Sequence, residues 1–505
     1  MLNEFYRQFK SGTDIRGVAS EGVPGQEVNL TDDAVQRMAD GFVLWLSQKT
    51  GKPPHELTIA VGRDSRVSGP HIMALTTARF QAAGARVICC GLASTPSMFM
   101  TTVKLNCDGA LQITASHHPF NRNGLKFFTR GGGLEGSDIE AILTYAQQDE
   151  HPAPSKNGSI EERDFMSEYA ADLRETIKRG VNAKDFEHPL AGFHIVVDAG
   201  NGAGGFYADK VLKPLGANTD GSQFLEPDGM FPNHVPNPED ATAMEAICQA
   251  VRAHHADLGV IFDTDVDRGG AVDSKGNEIN RNRLVAVASA IALEGNEGGT
   301  VVTDSITSAG LKTFIETTLG GKHYRYRRGY KNVIDKALEL NAQGVNCPLA
   351  IETSGHAAMR ENYFLDDGAY LCTKIIIKAA QLRHEGRDLS DLTADLQEPM
   401  ESLEVRYQIT EKDFRACGER IISELTAYAE QQDGWTLADD NREGVRVSFD
   451  RQNGDGWFLL RLSVHDPIMP LNIESDSQGG VEVIMQKLTA FLKTTQGLSH
   501  SSLNT

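Results

Sequence analysis

One arrangement of apolar and polar positions recurs three times along the chain: a short apolar run rich in β-branched residues, a loop rich in Gly, Ser and Asp, then a helical stretch. The instances are Leu57 to Gly84 (LTIAVGRDSRVSGPHIMALTTARFQAAG), Phe193 to Gly216 (FHIVVDAGNGAGGFYADKVLKPLG) and Thr300 to Gly320 (TVVTDSITSAGLKTFIETTLG). Continuous apolar runs predict strands buried on both faces, and each is followed within a few residues by a helix. Repeats more than about a hundred residues apart are too widely spaced for a solenoid and predict three successive, related α/β domains.

The last hundred residues change character. GVRVSFDRQNGDGWFLLRLSVHD predicts a hairpin around an Asn-Gly-Asp-Gly turn. VEVIMQKLTAFLKTTQ predicts an amphipathic helix with Ile484, Leu488, Phe491 and Leu492 on one face. The expected fold is therefore α/β, three related mixed α/β domains followed by a smaller α+β C-terminal domain. Polar linkers at Gln147 to Ser159 and Arg383 to Ser402 place the domains at 1–152, 160–280, 281–390 and 402–496. The tail GLSHSSLNT has little apolar content and is expected to fray.

Composition narrows the function classes. A chain of 505 residues exceeds one core and, at roughly 100–200 residues per domain, fits three or four. No apolar run approaches the roughly 18–20 residues of a membrane span. The balance of 49 basic against 69 acidic residues, net −20, argues against nucleic acid and anionic membranes as partners but leaves anionic small molecules open. Seven cysteines, with Cys89 and Cys90 adjacent and no C-x-x-C, predict reduced, mostly buried thiols. The N-terminal MLNEFYRQFK lacks a signal-peptide core, so a cytoplasmic location is expected.

The chemistry concentrates in a few segments. In VIFDTDVDRGGAVD an apolar strand delivers Asp263, Asp265 and Asp267 at alternate positions, so that an extended backbone aims three carboxylates at one point. All-oxygen ligation of this kind suits Mg²⁺. An EF-hand is excluded, since Arg268 and Ser274 stand where that loop needs Gly and Glu. In ITASHHPFNRNGLKFF, Ser116 follows the strand Asp108 to Ile113, outside the carboxyl edge where α/β sheets place ligands. The G-x-S-x-G elbow of acyl transfer is absent, which favours phosphoryl transfer. Taken alone, the loop is equally compatible with a capped turn carrying exposed histidines.

Two further segments offer polar groups. Glu352, Ser354 and His356 alternate in AIETSGHAAMRENYFLDDGAY and suit sugar hydroxyls. Arg461 and Ser463, in LLRLSVHDPIMP, suit a phosphate monoester. DAGNGAGG lacks a phosphate-loop spacing and reads as a tight strand-to-helix turn, and GRDSR (Gly62 to Arg66) as a structural brace of a cleft.

In order, SGTDIRG, TASHHPFNRNGLKFF, DTDVDRGG, ETSGH and RLSVHDP resemble the α-D-phosphohexomutase superfamily across nearly the whole chain, most closely its phosphomannomutase/phosphoglucomutase members. The resemblance implies a heart-shaped arrangement of four domains: domain I with a phosphoserine loop, domain II with a metal loop, domain III with a sugar-binding loop and domain IV with a phosphate-binding loop. It implies that Ser116 carries the phosphoryl group, with His117, Lys126, Arg16 and Arg268 as its catalytic neighbours, and that Mg²⁺ sits on Ser116, Asp263, Asp265 and Asp267. Glu352, Ser354 and His356 would bind the sugar, and Arg461 with Ser463 the non-reacting phosphate. Four segments depart from the family's usual pattern, at His118, at Thr264, at Tyr330 after Gly329, and at His465 with Asp466.

The resemblance implies an intramolecular phosphotransferase, an isomerase of carbohydrate metabolism interconverting hexose 1- and 6-phosphates (mannose and/or glucose), with a hexose 1,6-bisphosphate as intermediate and activator. Sugar phosphates would be its partners, and the protein a monomer or homodimer. Lys126 and His117 both remain open as the general base. Three other readings stand beside this one: a phosphoglucosamine mutase, a metal-dependent sugar phosphatase with Asp263 as nucleophile, and a non-catalytic sugar-phosphate binding protein.

Overall fold

A computed structural model describes residues 2–463 and 466–499. The chain forms two compact units, Met1–Asn280 with Ser354–Ala358 and Leu365–Asp391, and Arg281–Thr353 with Met359–Phe364 and Leu392–Thr505. His465 and residues 500–505 lie outside the described residues.

The first unit holds two sheets. The larger is eight-stranded. Its centre, Thr58–Arg63, runs parallel to Arg86–Leu92 and Gly109–Ile113, and its burial pattern is apolar on both faces as the sequence predicts. Arg122–Thr129 then turns back antiparallel to Gly109–Ile113 and pairs on its other side with Asp14–Val18. Helices Asp32–Thr50, Gly69–Ala82 and Gly136–Gln148 contribute Phe42, Phe80 and Ile142 to its core. The Gln147 to Ser159 linker does not end this sheet: Ser159–Glu162 joins it, parallel to Arg86–Leu92.

The second sheet pairs Ile195–Asp198 parallel with Leu258–Phe262, which meets Gly269–Val272 antiparallel. Helix Gly368–His384 packs within this first unit. Buried contacts hold it there. The Tyr169 hydroxyl donates to Asp367 at 2.7 Å, Tyr207 shares a 2.8 Å hydrogen bond with Thr373, and a Cβ on Gly180 would meet Ile377 at 2.7 Å.

In the second unit Thr300–Thr303 runs parallel to both Lys322–Arg325 and Leu349–Ile351, giving the third repeat. A five-stranded antiparallel sheet follows, in the order Glu401–Gln408, Ile468–Ser475, Gly456–Leu460, Val445–Phe449, Thr436–Leu437. The hairpin forms as expected, with Phe449 opposite Gly456, and helix Gly480–Leu492 buries Ile484, Leu488, Phe491 and Leu492. Against the expectation of fraying, Leu498 is buried: its backbone bridges Ile409 and its side chain joins the apolar cluster under the C-terminal sheet. Polar groups tie the two sheets of this unit together. Lys312 Nζ and Arg325 Nη1 meet Asp440 Oδ2 at 2.9 and 2.8 Å, and Arg446 donates to the carbonyls of Ser305 and Thr307 while lying 3.5 Å from the Trp457 ring. All seven cysteines are free and six are buried. Among the described residues no helix is long and apolar enough to cross a membrane.

Two outcomes are expected for stability. Leu488→Ala opens a cavity under the C-terminal sheet and should lower the unfolding free energy of that region by about 2–5 kcal/mol in urea titration. Burial works to raise the Asp440 carboxyl, but Arg325 and Lys312 outweigh it and hold it at about 2, below its ordinary 3.8. A depressed carboxylate adds stability above its unfolded value and loses it as pH falls through its folded value. The midpoint advantage of the parent over Asp440→Asn should therefore shrink as pH is lowered from 3.8 towards about 2.

Candidate active site

Two loops of the first unit leave the carboxyl ends of strands, where open α/β sheets place their ligands. One follows Gly109–Ile113 and carries Ser116, and the other follows Leu258–Phe262 and carries the three aspartates. Ser116 is buried and its backbone is left-handed, with φ 51°. That conformation is uncommon for a non-glycine residue and has to be held by its surroundings. Arg66, from GRDSR, does this. Its fully buried guanidinium donates to the carbonyls of Ser116, His118 (2.6 Å), Pro119 (2.7 Å) and Arg122 (2.9 Å), so it reaches four main-chain groups of one loop.

The aspartates converge by a different route from the extended one the sequence suggested. Phe262 pairs with Gly269, so residues 263–268 form a hairpin loop, and Val266 within it is left-handed at φ 68°. The turn folds the backbone over and brings ligand atoms of Asp263, Asp265 and Asp267 within 4.8 Å of one another, all buried. Neighbours fix the loop. Thr95, at the start of helix Thr95–Lys104, donates its hydroxyl to Asp265 Oδ2 and its N–H to the Asp265 carbonyl at 2.8 Å. Gly202, in DAGNGAGG, approaches so closely that a Cβ there would lie 2.5 Å from the Thr264 carbonyl oxygen.

The loops meet at their side chains. Ser116 Oγ donates to Asp263 Oδ2 at 3.3 Å and lies 3.2 Å from His117 Nδ1. Lys126, opposite Gln112 in the sheet, places Nζ 2.6 Å from Asp267 Oδ2 and 3.9 Å from Asp265 Oδ2. Arg268 donates to His117 Nδ1 at 3.0 Å and to His356 Nε2 at 2.9 Å. Arg16, on Asp14–Val18 opposite Gly124, pairs with Asp14 at 3.1 Å. Three buried carboxylates thus face two close cations, and Asp265 Oδ1 and Asp267 Oδ1 have no hydrogen-bond partner among the described residues. Orphaned carboxylate oxygens in an under-compensated, all-oxygen cluster suit a hard divalent cation such as Mg²⁺.

Electrostatics follow from that crowding. Burial, then Asp267 and Asp265, push the Asp263 carboxyl well up. Burial opposes ionisation of Asp267 as well, but Lys126, with Arg268, holds it below the usual carboxylate range. Burial, with Arg268 nearby, lowers His117 to about 2, and burial with Arg16 lowers His118 to about 3, so both rings are neutral. A further cluster joins Asp267, His356 and Asp366, with Asp366 Oδ2 2.6 Å from His356 Nδ1.

The remaining expected site residues divide between the units. Ser354 and His356 lie in the first, whereas Glu352 lies in the second and accepts from the Gly329 N–H at 2.5 Å. Arg461 and Ser463 also belong to the second; Arg461 Nε is buried without a partner among the described residues, and Ser463 Oγ accepts from the Asp466 N–H at 3.3 Å. Of the departures, Thr264 keeps an ordinary negative φ, and Tyr330 opens helix Tyr330–Ala342. Thr95 and Asp366 escaped sequence reasoning. The Ser-Thr-Pro helix start signals a cap and no more, while Asp366 stood inside a quoted segment with nothing to pick it out from Asp367.

Three models of the phosphoglucomutase/phosphomannomutase family match in order: α/β/α domain I at residues 7–153, domain II at 167–276 and domain III at 280–400. A phosphoglucomutase of Neisseria meningitidis serogroup B is 30% identical over 487 residues, 96% of each chain. A phosphomannomutase/phosphoglucomutase of Pseudomonas aeruginosa is 29% identical over 431 residues, 85% of this chain and 86% of its own. The crystal structure of a phosphoglucomutase/phosphomannomutase family protein from Burkholderia thailandensis superposes with TM-score 0.78 at 25% identity, covering 98% of both chains. With three matched α/β/α domains followed by a C-terminal α+β domain, the chain belongs to the α-D-phosphohexomutase superfamily as an enzyme of the phosphoglucomutase/phosphomannomutase family.

Proposed function

We propose that the protein interconverts hexose 1- and 6-phosphates of mannose and/or glucose through a phosphorylated Ser116 and a hexose 1,6-bisphosphate. The observation that carries this reading is the position of Ser116 Oγ, buried, held in a left-handed turn and within hydrogen-bond reach of both Asp263 and His117. The relatives named for mannose and glucose support the choice of sugar.

In the first half-reaction the P–O bond to Ser116 Oγ breaks as the free hydroxyl of the hexose monophosphate bonds to phosphorus. The hydroxyl proton passes at that point to Lys126 or His117, the departing Ser116 Oγ takes up a proton, and both transfers reverse in the second half-reaction. The bisphosphate turns round, its other phosphoryl group returns to Ser116 Oγ, and the isomeric monophosphate departs with its regained hydroxyl. Lys126, 2.6 Å from Asp267, and His117, 3.2 Å from Oγ, are the two proposed carriers of that proton, and for His117 the Arg268 contact at Nδ1 has to open first. Arg268 and Arg16 add positive charge beside the transferred group. Asp263, Asp265 and Asp267, with the Ser116 oxygen, are the residues that would hold Mg²⁺, which when bound neutralises charge on the phosphoryl oxygens. Glu352, Ser354 and His356 are assigned to the sugar, and Arg461 with Ser463 to the non-reacting phosphate, where a guanidinium matches phosphate oxygens in either orientation of the intermediate. The same reading divides the chain into functional domains at 1–152, 160–280, 281–390 and 402–496.

The intact mass of the purified enzyme should show one added phosphoryl group, absent from Ser116→Ala. That variant should have no mutase turnover above the enzyme-free rate with mannose-, glucose- or glucosamine-phosphates assayed side by side. A Ser116→Ala enzyme that keeps full activity ends the proposal, release of inorganic phosphate by the parent points to a phosphatase, and preference for the glucosamine phosphates moves the assignment to that mutase class. Chelation should abolish turnover and added Mg²⁺ restore it, and Asp265→Asn should raise the Mg²⁺ concentration for half-maximal activity about 10–100-fold.

A further inference from the structure

Arg268 is the cation of this site whose direction matters most, because its nitrogens diverge. Nη2 points to His117 beside Ser116, and Nη1 lies 3.3 Å from Asn237 Oδ1 and 3.5 Å from Glu239 Oε2. Its third nitrogen, Nε, meets His356 Nε2 at 2.9 Å. A guanidinium has donors only, so in this contact His356 Nε2 must carry a lone pair. The ring proton then sits on Nδ1, and Asp366 Oδ2 accepts it at 2.6 Å. Asp366 is itself fixed, since its other oxygen accepts the Ala357 N–H at 3.1 Å.

We propose that Asp366 is a positioning residue. It selects the Nδ1–H tautomer of His356, and that tautomer turns Nε2 into the acceptor that orients the Arg268 guanidinium towards the Ser116 loop. The logic is that of a buried carboxylate holding an imidazole in one tautomer, where an amide of the same shape permits the wrong one. With the wrong tautomer two donors would face each other at 2.9 Å, and the guanidinium would have to swing away. His356 then links Asp366 to Arg268 through its two ring nitrogens. The kinetic consequence rests on the mutase reading; the tautomer does not.

The test pairs kinetics with nitrogen-15 spectra of histidine-labelled protein, in which His356 is assigned by its loss in His356→Gln. In the parent enzyme Nε2 should resonate as an unprotonated nitrogen and Nδ1 as a protonated one. Asp366→Asn should shift that pattern towards protonated Nε2 and lower kcat about 10–100-fold with KM within about twofold. Asp366→Glu, which keeps the carboxylate, should recover part of the loss. Tyr169→Phe, which removes a hydrogen bond to the adjacent Asp367 and leaves Asp366 alone, should keep parental kcat. A protonated Nε2 in the parent, unchanged kcat in Asp366→Asn, or an equal loss in Tyr169→Phe would each overturn the inference. A parent enzyme without mutase turnover would instead overturn the proposed function, and the ring spectra would still decide the tautomer.

Discussion

The first unit is organised around a charge that it does not fully neutralise. Three carboxylates are buried in one hairpin loop, and the nearest permanent cations are one lysine and one arginine. Buried like charges repel strongly where water is scarce, so such a cluster persists only when its surroundings supply compensation. Lys126 comes from the sheet beside the Ser116 loop and Arg268 from the end of the aspartate hairpin itself. The remaining negative charge suits the site to a divalent cation, and it sets the field in which Ser116 and the two neutral histidines sit.

Geometry at this centre is imposed by buried hydrogen bonds rather than by loop stiffness. Ser116 and Val266 both occupy left-handed backbone, at a cost of order 1–3 kcal/mol each. Arg66 offsets the first by capturing four carbonyls of one loop, and Thr95 anchors the second from a helix start. Both supports lie in segments that carry no chemistry of their own. A substitution far from the reacting oxygen in sequence can therefore displace it in space.

Much of the fold was legible because burial on both faces of a sheet leaves a simple trace, and Ile59, Val197 and Val302 all sit where continuous apolar runs put them. The C-terminal hairpin and its amphipathic helix were equally plain, since turn residues and helical spacing are local signals. The aspartates were found for an incomplete reason: alternate spacing suggested an extended strand, whereas a left-handed Val266 folds them together, and a valine gives no warning of that backbone. Arg66 could be suspected of bracing, but a guanidinium that serves carbonyls more than fifty residues away leaves no pattern in a single chain. Asp366 was illegible for the same reason, being defined by the tautomer of a ring ten residues earlier. That helix Gly368–His384 packs within the first unit was not legible, because its partners Tyr169, Gly180 and Tyr207 are remote in sequence.

That helix has a consequence for how the protein is made. The first unit spans Met1–Asn280 but is completed only by Ser354–Ala358 and Leu365–Asp391, so its last elements are translated 111 residues after Asn280. At about 5–20 residues per second, the ribosome takes on the order of 5–20 s to supply them. During that interval Gly269–Val272 and Phe165–Val181 await the apolar helix that covers them, while the third repeat emerges in between. Nascent chains in this window expose an incomplete core and an aspartate loop without the Gly368 N–H that caps the Val266 carbonyl. Synthesis order, rather than final stability, thus sets the period in which this chain is open to misassembly, and the split sequence of the first unit prevents its isolation by any single cut.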